Sequence, residues 1–216
     1  MSTLWLFGDS FTAGYGAEKN SKYSLKYGPG KTFDILLGEY FNLNVNNFGI
    51  PGCSNATILS TLLSNLVYIK PGDFVVIGNT SPLRDLVPNK EGTKLIDQKL
   101  FDSTPYPDSL AYKNDRLEKI LREYCIEFKK EYLYLWNSHF NSNILNIFKY
   151  LNTENITCLL WNYSVWSEEE TLGMRFENIK EHTDGYIYDL HWSFNGHKEV
   201  FEWIKNGIES EKKFIK

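Results

Sequence analysis

The fold is decided by the segment Leu4-Trp5-Leu6-Phe7-Gly8-Asp9-Ser10-Phe11-Thr12-Ala13-Gly14-Tyr15-Gly16. Its first four residues are apolar, which is typical of a short strand that is buried on both faces of a sheet. The change to glycine, aspartate and serine, followed by two further glycines, predicts that the chain then turns sharply. Ser10 is therefore expected at the carboxyl end of the first strand, where open α/β sheets bind their ligands.

Strand-like and helix-like segments alternate along the rest of the chain, a pattern that favours a mostly parallel sheet. Further strands are predicted at residues 43–48, 73–77, 156–161 and 186–188, and helices at 32–41, after 54, at 117–135, at 142–151 and from 195. Residues 81–110 contain four prolines and no clear period, so they form either a functional loop or elements that the pattern does not reveal. We predict one domain, residues 1–216, with a three-layer α/β/α architecture and a five-stranded sheet.

Composition and charge narrow the class of protein. The net charge is -4 and no dense basic cluster is present, so nucleic acid is excluded as an expected partner. Cys53, Cys125 and Cys158 are far apart and form no CxxC pair, which indicates reduced thiols rather than a disulfide scaffold. No leader-like segment precedes the first strand, and no apolar run approaches the roughly 20 residues that cross a bilayer. We therefore expect a cytoplasmic protein without membrane insertion.

Four segments of the chain resemble the sequence blocks of the SGNH, or GDSL, hydrolases, a family of esterases and lipases. The first is Gly8-Asp9-Ser10-x-Thr12-x-Gly14-x-Gly16, and the second is Asn47-Phe48-Gly49-Ile50-Pro51-Gly52-Cys53-Ser54-Asn55. The third is Gly78-Asn79-Thr80-Ser81, and the last is Asp189-Leu190-His191-Trp192-Ser193-Phe194-Asn195-Gly196-His197. They follow the family's order across nearly the whole chain. The resemblance implies a flavodoxin-like α/β/α fold and a serine esterase that needs no metal or organic cofactor.

By this resemblance Ser10 is the nucleophile and His191 is the general base that takes its proton, since a serine hydroxyl is a poor nucleophile without a base. Of the other histidines, His139 lies in a long helical stretch and His182 in a polar run, so surface or packing roles are expected for both. His197 belongs to the Gly-His pair that opens the last helix in the family.

The sequence departs from the family at two positions. The family's aspartate stands three residues before the histidine, where this chain has Tyr188; Asp189 stands two residues before it, and Asp184 is a weaker substitute. A carboxylate there would hold the imidazole tautomer. In the third block the family has an asparagine oxyanion donor, and here Thr80, which matches by position, is preferred over Asn79, which matches by residue type.

The resemblance also implies an oxyanion hole from the backbone N–H groups of Ser10 and Gly52, completed by Thr80 or Asn79. Gly52 is equally expected to be an ordinary turn glycine with a positive φ. Asp9, Arg84 and Trp192 are further candidates for substrate binding, although a surface role is an alternative for Arg84.

We expect hydrolysis of short-chain esters, with an acetyl group on a carbohydrate as the preferred substrate. Aromatic residues that can stack on sugars follow several predicted strands, whereas no apolar segment resembles a lipid lid. The aromatic candidates are Tyr15, Tyr23, Tyr27, Trp161, Tyr163, Trp166 and Trp192. The alternatives are a catalytically weakened carbohydrate-binding or structural module on the same fold, a lysophospholipase or thioesterase, and an acyltransferase.

Overall fold

The computed structural model describes residues 1–14, 31–80, 84–88, 95–99, 129–162, 174–175, 192 and 194–214. The strands in this part of the chain are β1 (Thr3–Gly8), β2 (Asn44–Gly49), β3 (Phe74–Asn79), β4 (Arg84–Pro88), β5 (Leu95–Lys99), β6 (Thr157–Asn162) and β7 (Met174–Arg175). The helices are α1 (Phe33–Phe41), α2 (Asn55–Asn65), α3 (Lys129–Thr153) and α4 (Phe194–Phe214), and a 3-10 turn follows α2 at Leu66–Tyr68.

A parallel sheet with the strand order β2-β1-β3-β6-β7 organises the fold. In its register, Phe7 of β1 is level with Phe48 of β2 and with Ile77 of β3. Because these strands all run in the same direction, their carboxyl ends meet at one edge of the sheet, and the turn with Ser10 follows β1 at that edge. The predicted α/β class with a parallel sheet is confirmed.

Helices cover both faces of this sheet and give the three expected layers. Successive strand residues point to opposite faces, and β1 buries side chains on both. Leu4 and Leu6 pack with residues of α1 and α4, whereas Trp5 and Phe7 pack with residues of α2 and α3. The continuous apolar run of β1 therefore serves two cores, as a doubly covered parallel strand requires.

α3 is one helix where the sequence predicted a break between two. Asn137 and Ser138 are weak helix formers and stand near the expected break. Phe140, Ile144 and Leu151 nevertheless bury one stripe of α3 in the core, with exposed fractions of 4%, 1% and 1%. Tertiary packing thus overrides the local propensity. None of the helices in the described part of the chain has the length and apolar character needed to span a membrane.

The segment 81–110, for which the sequence left open a functional loop or elements without a visible pattern, contains the antiparallel hairpin β4–β5. Both strands are five residues long, and Pro88 occupies the end of β4, where a missing N–H is tolerated. Strands this short show too few alternations for a period to be visible. The fifth strand of the main sheet is β7, whereas the strand expected at 186–188 and the helical residues expected at 117–128 lie outside the described residues.

At the amino end of the sheet, the carboxylate of Asp73 accepts three hydrogen bonds from two segments. Its Oδ1 accepts a 2.8 Å hydrogen bond from the Thr3 N–H, and its Oδ2 accepts bonds of 2.9 Å from Trp5 Nε1 and 3.0 Å from the Lys70 N–H. Asp73 is only 6% exposed. It therefore ties the start of β1 to the turn before β3, at the edge opposite to Ser10.

Candidate active site

Ser10 lies in a hydrogen-bonded turn that begins directly after β1. The Ala13 N–H donates to the Asp9 carbonyl at 2.9 Å, and the Gly14 N–H donates to the Phe11 carbonyl at 3.2 Å. Gly14 has a φ of 71°, which a side chain would disfavour, so a glycine closes the turn. Ser10 itself is only 5% exposed. We call residues 9–14 the serine turn.

The serine turn packs onto the strand ends because three neighbouring positions lack side chains. A Cβ at Gly8 would lie 2.0 Å from Thr12 Oγ1, and a Cβ at Gly49 would lie 2.3 Å from the Ala13 nitrogen. A Cβ at Gly78 would lie 2.4 Å from Trp161 and 2.6 Å from Thr12 Oγ1. Gly8 and Gly49 are level in the sheet. These glycines end β1 and β2 and nearly end β3, and they let the turn fold back over the sheet edge.

A buried polar network connects the serine turn with β3 and α2. Asp9 Oδ1 accepts from the Phe11 N–H at 3.0 Å, and Asp9 Oδ2 accepts from the Thr80 hydroxyl at 2.6 Å. The side chain of Asn55 then bonds both backbone groups of Thr80, at 2.8 Å to its N–H and 2.9 Å to its carbonyl. Asp9, Thr80 and Asn55 are 2%, 3% and 0% exposed. Asp9 was predicted to bind substrate, and the structure instead gives its carboxylate an internal role in holding the turn.

Gly52 lies in the turn between β2 and α2, which we call the glycine turn (residues 50–54). This turn is anchored on β1, because the Gly8 carbonyl accepts a 2.9 Å hydrogen bond from the Ile50 N–H. Ser54 ends the turn and caps α2, with its hydroxyl accepting from the Thr57 N–H at 3.3 Å. Gly52 has a φ of 79°, and a Cβ built there would meet no atom within 4 Å. Open space therefore lies beside the predicted oxyanion donor.

His197 lies in the first turn of α4 and is 1% exposed. Its Nδ1 accepts a 3.4 Å hydrogen bond from the Phe33 N–H at the start of α1. Its ring stacks on Phe33, with centroids 5.8 Å apart, and meets Trp192 edge-on at 5.5 Å. His197 thus lies at the start of the last helix, as the sequence predicted, and from there it accepts a hydrogen bond from the first residue of α1.

Trp192 and Trp161 lie in the core rather than on a sugar-binding surface. Their exposed fractions are 2% and 1%, and their rings are 5.3 Å apart. Trp192 also packs against Phe11, with ring centroids 4.9 Å apart at an angle of 55°. This burial does not support the predictions that Trp192 binds substrate and that Trp161 stacks on sugars.

Other predicted site residues lie outside the described residues. They are His182, Asp184, Tyr188, Asp189 and His191, and the aromatic candidates Tyr15, Tyr23, Tyr27, Tyr163 and Trp166.

Arg84 is the first residue of β4, level with Lys99 of β5. His139 is exposed on α3, in agreement with the surface role expected for it. Within the described ranges, no group of three His, Cys, Asp or Glu residues is placed to hold a metal ion.

Sequence reasoning missed the residues that hold the site together, above all Asn47 and the pairing of Asn55 with Thr80. One signal was available, because β2 contains three asparagines, Asn44, Asn46 and Asn47, and asparagine is depleted in strands. A polar residue in a strand that its β-propensity disfavours often has a specific hydrogen-bond partner. The partner itself is a tertiary contact across 25 to 35 residues of chain, and no local pattern reveals it.

Comparison with known proteins finds no matching family model and no matching curated protein. Among solved structures, the chain is similar to a carbohydrate esterase whose active site is described as displaying divergent catalytic and non-catalytic binding functions. The identity is 15%, the match covers 96% of this chain and 68% of that chain, and the TM-score is 0.52.

Two further similar structures are proteins described as lipolytic and of the G-D-S-L family. The protein from Desulfitobacterium hafniense has 14% identity, a TM-score of 0.37 and coverage of 98% of this chain and 74% of that chain. The protein from Veillonella parvula has 13% identity, a TM-score of 0.35 and coverage of 98% and 75%.

The sheet order, the serine turn and the likeness to the carbohydrate esterase give the chain the SGNH-hydrolase fold. The resemblance to the SGNH/GDSL hydrolases that the sequence blocks predicted is confirmed at the level of that fold.

Proposed function

We propose that this protein is a serine ester hydrolase. Ser10 attacks the ester carbonyl while His191 takes the hydroxyl proton, and the protonated imidazole returns that proton to the departing alcohol. Water, deprotonated by His191, then releases the acid from Ser10. Asp189 is proposed to orient the His191 ring, and it stands two residues before the histidine where the family pattern has three.

The contact between Phe11 and Trp192 is the observation that carries this proposal. Phe11 follows Ser10 directly, and Trp192 follows His191 directly. The two rings pack at 4.9 Å in the core. Consecutive Cα atoms are about 3.8 Å apart, so each ring is anchored one residue from a proposed catalytic group. A ring pair that joins two segments 181 residues apart in sequence supports a serine and a histidine that work together.

The proposed oxyanion hole contains the N–H groups of Ser10 and Gly52 and one side-chain donor. The open space beside Gly52 and its position in the glycine turn support its part. For the side-chain donor, the hydrogen bond from the Thr80 hydroxyl to Asp9 supports Asn79 over Thr80. This is the reverse of the preference that position in the third block predicted. Asn79 is the last residue of β3 and is half-buried.

For the substrate, we propose a short acyl ester, with acetyl on a carbohydrate preferred. The 5% exposure of Ser10 favours a small acyl group over a long chain. The likeness to a carbohydrate esterase supports a polar alcohol. Trp161 and Trp192 no longer contribute to this argument, because both are core residues. The cytoplasmic location that the sequence predicts is part of this proposal.

A second candidate is a carbohydrate-binding module with a weakened active site. The observation that favours it is the Thr80 hydroxyl, which donates to Asp9 at the position where the family places its oxyanion donor. Loss of one such donor costs about 3 kcal/mol of transition-state stabilisation. This candidate binds glycans without turnover.

The test is hydrolysis of p-nitrophenyl acetate, butyrate, octanoate and palmitate by wild type, Ser10→Ala and Ser60→Ala. Ser60 is exposed on α2 and serves as the matched serine control. We expect rates that fall steeply with chain length, a loss of about a thousandfold or more in Ser10→Ala, and wild-type rates in Ser60→Ala. A serine-directed phosphonate should label Ser10 alone. Equal rates in wild type and Ser10→Ala contradict the esterase proposal, and a maximum at octanoate or longer contradicts the acyl preference.

A further inference from the structure

Asn47 connects three segments of the protein through one side chain. Its Nδ2 donates to the Thr12 carbonyl at 2.7 Å and to Asp34 Oδ2 at 2.8 Å, and its Oδ1 accepts from the Gly49 N–H at 2.9 Å. An asparagine amide has two protons to donate. Both protons of Asn47 are used, each toward a different element.

Two of these segments carry the proposed catalytic groups. Thr12 lies in the serine turn, two residues after Ser10, and Gly49 precedes the glycine turn, three residues before Gly52. The backbones of the two segments touch, since a Cβ on Gly49 would lie 2.3 Å from the Ala13 nitrogen. Asn47 therefore forms hydrogen bonds to both segments of this contact, the serine turn and the end of β2. The distance between Ser10 and Gly52 depends on how these two segments pack.

The hydrogen bonds of Asn47 fix geometry as well as adding stability. Asn47 is an exposed residue of β2, but the two residues to which its amide donates are buried, since Thr12 and Asp34 are 0% and 9% exposed. Water cannot reproduce the fixed distances between the Thr12 carbonyl, the Gly49 N–H and α1. A displacement of about 1 Å between catalytic groups can cost about a hundredfold in rate.

We propose that Asn47 is a positioning residue that holds the serine turn against the glycine turn and so fixes the distance from Ser10 to the Gly52 N–H. This proposal rests on the proposed esterase function for its effect on rate. Its structural part, the ordering of the serine turn, can be measured without any substrate. Asn46 is the matched control, because it precedes Asn47 in the same strand and points to the opposite face of the sheet.

The first experiment compares wild type, Asn47→Ala and Asn46→Ala by ester kinetics, thermal unfolding and amide hydrogen exchange. In Asn47→Ala we expect kcat to fall about tenfold to a hundredfold, KM to stay within about twofold, and Tm to change by only a few degrees. The amides of Ala13 and Gly14, which close the serine turn, should exchange faster, while those of β3 should not change. Asn46→Ala should behave as wild type in kcat and in exchange at Ala13.

A double variant separates positioning from a simple link to α1. Asn47→Asp combined with Asp34→Asn reverses the hydrogen bond between residues 47 and 34 and keeps an acceptor for Gly49, but it leaves the Thr12 carbonyl without its donor. If Asn47 acts through the serine turn, the double variant keeps the low kcat and the fast exchange at Ala13, because its new carboxylate cannot donate to the Thr12 carbonyl. Recovery of both quantities contradicts the proposal, because a link between α1 and β2 would then suffice.

Failure of the proposed esterase function can be distinguished from failure of the positioning role of Asn47. If wild type hydrolyses no ester, the esterase proposal fails, and exchange at Ala13 and Gly14 still decides the role of Asn47. Unchanged exchange in Asn47→Ala overturns the positioning role whatever happens to kcat.

Discussion

The Thr80 hydroxyl lies 2.6 Å from Oδ2 of Asp9 and donates its proton to that carboxylate. Both residues are almost fully buried, and the second Asp9 oxygen accepts from the Phe11 N–H. The bond thus fastens the end of β3 to the serine turn. A hydroxyl has one proton, so Thr80 cannot donate to Asp9 and to an oxyanion at the same time. The position that the family pattern assigns to substrate chemistry here supports the turn that carries Ser10 instead.

The first prediction concerns the two neighbours in the third block. Thr80→Val should destabilise the fold by about 1–3 kcal/mol, because it leaves a buried carboxylate oxygen without its donor. Thr80→Ser should restore most of this stability, because it keeps the hydroxyl. Asn79→Ala should instead lower kcat by about tenfold to a hundredfold with little change in stability, as expected for an oxyanion donor. Urea denaturation and ester kinetics measure the two effects separately. A loss of kcat in Thr80→Val that Thr80→Ser restores, together with a wild-type kcat in Asn79→Ala, would assign the donor role to Thr80 instead.

The second prediction separates His191 from His197. His197→Ala should destabilise the protein by roughly 3 kcal/mol, because it opens a cavity beside Phe33 and Trp192 and removes the acceptor for the Phe33 N–H. At a temperature where the variant is folded, its kcat should be near wild type. His191→Ala should show the reverse, with wild-type unfolding and a rate near that of Ser10→Ala. Similar, mild losses of kcat in both variants would refute a serine–histidine mechanism.

The third prediction compares two glycines of the second block. Gly49→Ala places a methyl group against the Ala13 backbone, at 2.3 Å from its nitrogen, so the serine turn must move. Gly52→Ala meets no atom and costs only the strain of a φ of 79°, about 1–2 kcal/mol. We therefore expect a much larger fall in kcat for Gly49→Ala than for Gly52→Ala, although Gly52 is the proposed donor, because its N–H is retained. The opposite ranking would show that the space beside Gly52 must admit substrate closely enough to exclude a methyl group.

The fourth prediction tests the fold away from the site. Asp73→Ala removes the acceptor of hydrogen bonds from Thr3, Trp5 and Lys70 and should lower the free energy of unfolding by about 2–4 kcal/mol. Asp73→Asn should cost less, because it keeps one oxygen. The kcat of the folded variants should match wild type, since Asp73 lies at the opposite edge of the sheet from Ser10. A lower kcat in a fully folded Asp73 variant would mean that the two ends of β1 are coupled.

Local sequence was sufficient for much of the architecture. The four apolar residues before Gly8 predicted a strand that is buried on both faces, and the boundaries of β2, β3, β6 and α1 were predicted within one or two residues. The start of α2 after residue 54 was also predicted, and the structure shows that Ser54 caps this helix. The hairpin β4–β5 and the continuity of α3 were missed, since the first has too few residues to show a period and the second depends on core packing.

The sequence by itself determined the fold class, the order of the blocks and the place of Ser10 after β1, because strand periodicity, turn residues and block spacing are all local properties of the chain. Only the tertiary structure decided what the polar and aromatic residues around Ser10 do. It assigned Asp9 and Thr80 to each other, Asn47 to the contact between two turns, and Trp192 to the core against Phe11. The physical reason is that a hydrogen bond or ring contact needs two partners, and here the partners are separated by 35 to 181 residues of chain.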